Sequence, residues 1–138
     1  MALEGSLTIE DADYILQELD YELFRNYDNN YKPSTGNPRG GLINITINSE
    51  DKQNIFFHQW LLNMNLYDGK IYLPIAKGDI VHWQKEISFS GAYCVHLSEY
   101  FSNSGREQMR MRITISASAI EFGVDEKVKF TNIFIAKK

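Results

Sequence analysis

The chain has 138 residues, 43% of them hydrophobic and 23% charged, with a formal net charge of -4. That length supports one core able to bury roughly two-thirds of the surface the unfolded chain exposes, and the composition excludes a long disordered or low-complexity protein. The negative balance excludes the general basic field that drives phosphate binding, so nucleic acid is not an expected partner.

Met1 to Glu10 lacks a basic start followed by an apolar run, and no stretch approaches the roughly 18 apolar residues of a membrane helix. The expectation is a protein without a cleaved signal peptide or membrane insertion. Asp13 to Asn26 is ambiguous. Ile15, Leu16, Leu19 and Leu23 fit a helix, whereas Ile15, Leu19, Tyr21 and Leu23 share one strand face. Tyr27 to Gly41 has no hydrophobic period and holds Pro33, Pro38, Gly36, Gly40 and Gly41, which predicts a long loop of the functional kind.

From Gly41 to Asn48, Ile43, Ile45 and Ile47 oppose Asn44, Thr46 and Asn48, the alternation of a half-buried strand. A helix is predicted from about Glu50 to Asn65, capped by Asn48 or Ser49, with Phe56, Phe57, Trp60, Leu61 and Met64 on its packed face. Asp68-Gly69 reads as a turn into a short strand, Lys70 to Leu73. Ile87 and Phe89 begin another strand. Gly91 suits a bulge or bend, after which Tyr93, Val95 and Leu97 continue the apolar face. The longest alternation runs from Met109 to Ala119, and Val128 to Ile135 reads as a closing strand. The connections are short enough for antiparallel pairing, and residues 1–138 read as one mainly β domain.

The residues offer little chemistry. His58, His82 and His96 lack a second ligand at zinc spacing, and the glycines lack the context of a nucleotide fingerprint. Asp11, Asp13, Glu18, Asp20 and Glu22 are spaced as a solvated face rather than a convergent pair. Cys94, the only cysteine, permits no intrachain disulfide and fits a reducing cytoplasm. Together with His96 on the same strand face it is a conceivable nucleophile, but a small buried hydrophobe is the simpler reading. Arg106, Arg110 and Arg112, with Lys127 and Lys129, suggest either a basic stripe beside Trp83, Tyr100 and Phe101 or outward contacts between subunits. Trp83, Tyr72, Tyr93 and Tyr100 also allow a carbohydrate-binding β sandwich. No catalytic residue, cofactor or metal is expected.

Taken in order, Lys32-Pro33-Ser34-Thr35, Arg39-Gly40-Gly41, Ile43-Asn44-Ile45, Trp60, Gly69-Lys70-Ile71 and the run Phe89 to Val95 resemble the Hcp (TssD) proteins of Bacteroidetes type VI secretion systems. The strand Met109 to Ala119 is similar in character. The resemblance implies an antiparallel β barrel of two sheets with one flanking α-helix, and places a strand across Tyr14 to Arg25. It implies a non-enzymatic tube subunit forming stacked hexameric rings, working with sheath, spike and baseplate proteins and carrying effector proteins in the lumen. Such a subunit is made in the bacterial cytoplasm and exported by the secretion machine itself. Tyr31, Lys32, Pro33, Ser34, Thr35, Asn37 and Arg39 would belong to the loop that reaches a neighbouring ring. Contractile phage tail tubes share the barrel, so the fold alone does not separate the two machines.

Overall fold

Two alternating strands meet to close the molecule. In the computed structural model, which describes residues 4–32, 38–49, 55–105 and 109–132 and only the backbone of 76, 77 and 81–83, β3 (Leu42–Asn48) pairs with β6 (Met109–Phe122). Their antiparallel register sets Ile43, Ile45 and Ile47 opposite Ile115, Ile113 and Met111. All six are buried. Because the alternation has period two, one register commits every apolar side chain of both strands to the same interior.

The remaining strands are β1 (Ser6–Ile9), β2 (Ala12–Tyr21), β4 (Tyr67–Lys77), β5 (Ile80–Phe101) and β7 (Val128–Thr131). They form one sheet in the order β3-β2-β1-β4-β5-β6-β7, closed by the β3–β6 pairing. The two sheets expected from the resemblance are thus opposite walls of one continuous six-stranded barrel, with β7 added end to end with β3 along β6. Closure removes the unpaired edges that invite aggregation. The two-residue turn between β1 and β2 puts Glu10 and Asp11 at φ 51° and 62°, as a hairpin matched to strand twist requires.

Segment 14–25, helical in periodicity, is strand over Ala12–Tyr21, as the resemblance implies, but the strand ends before Arg25, with an isolated bridge at Phe24 beyond it. A register shift between Leu16 and Glu18 spaces the inward residues Tyr14, Leu16 and Leu19 by two and three. Ile15 is therefore outside the interior, contrary to its expected strand face. Gly91 (φ 56°) does bend β5, and the Asp68 carboxylate accepts its N–H at 2.8 Å. The faces beyond it differ from expectation: Ala92 and Cys94 are buried, Val95 is exposed, and Leu97 returns to the core after a second shift between Cys94 and His96. Asp68-Gly69 is not a turn but part of β4, where any β-carbon on Gly69 would collide with the Phe89 ring.

The helix α1 is described over Phe56–Asn63. It begins after Ile55 with no side-chain cap, so Asn48 and Ser49 do not cap it: Asn48 ends β3 and Ser49 donates to Glu99. Residues 50–54 lie outside the described residues, as does the expected strand beyond Asn132. Phe57 and Trp60 enter the core, with Phe56 and Leu61 packed beside them, whereas Met64 terminates the helix in the left-handed region and is exposed. Trp60 lies near-parallel to Phe89 at 6.5 Å, and its indole N–H donates to the Ala92 carbonyl at 3.0 Å. Phe57 meets Tyr14 edge to face at 4.9 Å. The helix thus anchors where β5 bends. Replacing Trp60 with Ala should cost about 3–5 kcal/mol by urea unfolding, from the lost indole and the cavity left behind; a cost below about 1 kcal/mol would show that α1 is peripheral to the core.

Candidate assembly surfaces

Pairing across β2, β3, β6 and β5 lays the outward residues in rows. Asp20, Asn44, Thr114 and His96 form one row, and Glu18, Thr46, Arg112 and Ser98 the next. Asn44 stitches the first row together, donating to Asp20 Oδ1 and accepting from the Thr114 hydroxyl, each at 2.8 Å. Asn48, Arg110 and Tyr100 continue the wall. Thr46 is nearly buried although it faces outward, and it shares a shallow depression of ≈ 290 Å³ with Glu18, Ser98, Tyr100, Arg110 and Arg112. This is a polar wall carrying both signs of charge. It is not a basic stripe: Lys129 is registered opposite Glu121, and Lys127 lies 3.9 Å from the same carboxylate.

The second surface is the arm between β2 and β3. Phe24 and Arg39 exchange backbone hydrogen bonds of 2.9 and 2.8 Å, so the loop begins as a continuation of the hairpin. It turns on Asp28, whose Oδ1 accepts the N–H groups of Asn30 and Lys32 at 2.8 and 3.0 Å. Such a side-chain turn is a common use of aspartate where the chain reverses. Tyr27 and Tyr31 stack at 5.8 Å across this turn, with Tyr31 at φ 64°. Of the expected loop contacts, Tyr31, Lys32 and Arg39 are placed on the arm; Pro33, Ser34, Thr35 and Asn37 fall outside the described residues, as does Arg106. Tyr27 and Asp28 lie within the expected loop but not among its expected contacts, although Asp-Asn-Asn before an aromatic is a turn signal.

No catalytic constellation assembles among the described residues. No group of three or more His, Cys, Asp or Glu side chains is arranged to hold a metal ion. Cys94 and His96 were expected to share a face, but the shift between them leaves Cys94 buried and His96 exposed in the outer row. His58 and Glu99 meet at 3.8 Å beside α1. Tyr72, Tyr93 and Tyr100 pair with Glu86, Ser116 and Arg110, so they lie apart rather than forming one sugar platform. The carboxylates Asp11, Asp13, Glu18, Asp20 and Glu22 are exposed, as their spacing suggests.

With these surfaces in view, comparison with known proteins identifies the architecture. The family model described as TssD, Hemolysin coregulated protein Hcp, matches residues 1–132. The solved structure of Hcp1 from Flavobacterium johnsoniae is 30% identical, superposes with a TM-score of 0.76, and is matched over 94% of this chain and 100% of its own. A structure titled Hcp protein, 9% identical, gives a TM-score of 0.78 over 95% of this chain and 100% of its own. Hcp1 from Salmonella typhimurium, 10% identical, gives 0.68 over 95% of each; these two show the fold alone. No curated protein sequence matches. The chain belongs to the Hcp (TssD) family and is a structural tube protein of type VI secretion. That family is non-enzymatic, is secreted by the type VI system, and forms hexameric rings in its tube. No described helix is long and apolar enough to cross a membrane.

Burial pushes the Cys94 thiol from 9.0 up to about 11, offset in part by a backbone hydrogen bond at His96. The folded value lies above the unfolded one, so the stabilisation by the neutral thiol is complete below about pH 9 and lost as pH rises through 11. At pH 8, native Cys94 should react with iodoacetamide at least roughly 100-fold more slowly than in urea, because two pKa units remove that much thiolate. Equal rates would place the thiol at the surface.

Proposed function

We propose that this chain, as one domain over residues 1–138, builds hexameric rings that stack into the secretion tube without catalysing a reaction. The family membership carries this reading. Rings would be made in the cytoplasm and enclosed by a contractile sheath. The tube would bear a spike at its tip, rise from a baseplate, and hold effector proteins in its lumen.

The ring-to-ring contact falls on the arm carrying Tyr31, Lys32 and Arg39, together with Pro33, Ser34, Thr35 and Asn37. An arm stiffened by its Asp28 turn and two prolines loses little freedom on docking, which favours its use as a contact. Arg110 and Arg112, with Arg106, are the proposed polar contacts between neighbouring subunits. Their guanidinium forks suit carboxylates across an interface.

Two experiments separate these roles. Deleting Lys32 to Asn37 should leave the thermal transition and the six-membered ring intact while shortening stacks seen by negative stain; loss of folding would contradict the arm assignment. The double change Arg110→Glu and Arg112→Glu should instead lower the ring fraction in sedimentation velocity. An unchanged ring fraction would remove these arginines from the interface.

A further inference from the structure

At the end of the barrel where β2 finishes and β3 begins, the wall changes strands. β3 starts at Leu42, opposite Ser116, and β7 takes the next stretch of β6, with Val128 opposite Phe122. No ladder joins β7 to β2 among the described residues. The opening left at this end is a cup of ≈ 510 Å³ lined by Tyr21, Leu23, Leu73, Ile87, Phe122 and Val128. The Tyr21 and Phe122 rings meet at 5.2 Å in its wall. Two residues deeper along β5, β6 and β7, Phe89, Ile120 and Phe130 are buried, so the cup has a floor and does not run on as a channel.

The cup has a cation at its rim. Residues directly opposite in an antiparallel ladder share a face of the sheet. Ile71 is opposite Ile87 and Leu73 is opposite Lys85, so Lys85 follows Ile87 on the interior side of β5. Read toward the mouth, that face runs Phe89, Ile87, Lys85, and the apolar series ends in an exposed ammonium group that also lines the cup. The adjacent carboxylate, Glu86, belongs to the outer face, where Lys70 holds it at 3.5 Å. Cups of roughly 300–1,000 Å³, mainly apolar with a few polar groups that fix orientation, are the usual form of small-molecule sites, and the mouths of β-barrels are a usual place for them. A single ammonium group at the exit of an apolar cup fits an apolar body that ends in one negative charge.

We propose that this cup binds a medium-chain fatty acid, with its alkyl chain against Leu73, Ile87 and Phe122 and its carboxylate on Lys85. The apolar lining supplies the affinity. The ammonium group selects the acid over a neutral amphiphile of equal length. The site uses none of the residues assigned above to contacts between subunits or rings, so its test is separate from theirs.

The test is isothermal titration of the full chain with decanoate, with decan-1-ol as the neutral comparison. One decanoate should bind per chain, and decan-1-ol should bind roughly tenfold more weakly, the loss expected when a charge-assisted contact is missing. Lys85→Gln should bring the acid down to the affinity of the alcohol. Val128→Glu, at a rim position 69% exposed, should weaken the acid by a similar factor, with circular dichroism unchanged in both variants. No saturable binding below about 1 mM, equal affinity for acid and alcohol, or binding that neither substitution weakens would overturn the proposal. So would binding that appears only after removal of residues 1–3, which would give the cup to the chain's own end. Binding to dissociated chains but not to rings would overturn it as well, by giving the cup to a second copy.

Discussion

The pairing of β3 with β6 is the constraint on which the rest depends. It turns a meander with two open edges into a closed wall and fixes the inward faces of β2 and β5, the neighbours of the two closing strands. It also brings Asp20, Asn44, Thr114 and His96 into one outer row although their sequence positions span most of the chain. The polar wall and the hydrophobic interior are consequences of the same register, seen from opposite sides.

Closure also explains why the helix matters. A small barrel is filled by its own side chains, and here the strand residues near the bend of β5 are small: Gly91, Ala92 and Ala117. Trp60 occupies the space beside them and satisfies the Ala92 carbonyl, while Phe57 reaches Tyr14. Apolar bulk missing from the strands is thus returned by α1. Its opposite face is then left uncharged and outside, which is a stability cost unless something covers it.

Much of this was legible in the residues where the alternation is uninterrupted. Ile43 to Ile47 and Met111 to Ala117 read correctly because each is a regular strand with one wet face, and Phe57 and Trp60 read correctly because helical spacing put them together. The failures coincide with register shifts. The shift after Leu16 makes β2 imitate a helix, and the two irregularities in β5 send Val95 outward and separate Cys94 from His96. Near the end of β6 the buried residues Ala117 and Ile120 are three apart. Bulges are set by pairing with strands distant in sequence, so no local pattern announces them. Gly69 was misread for a related reason: its role is to admit the Phe89 ring, not to turn the chain. The assembly surfaces were less legible, since an exposed aliphatic gains meaning only when its charged neighbours are known to be absent in space.

The closed ladder bears on how such a subunit withstands being driven forward. An open sheet pulled from its edge yields by unzipping, one hydrogen bond at a time. In the closed barrel every one of the six wall strands has a partner on each side, so displacing one means shearing two ladders at once. Load is shared around the circumference, and β7, the short addition outside the closed ring of pairings, is held along one side by β6.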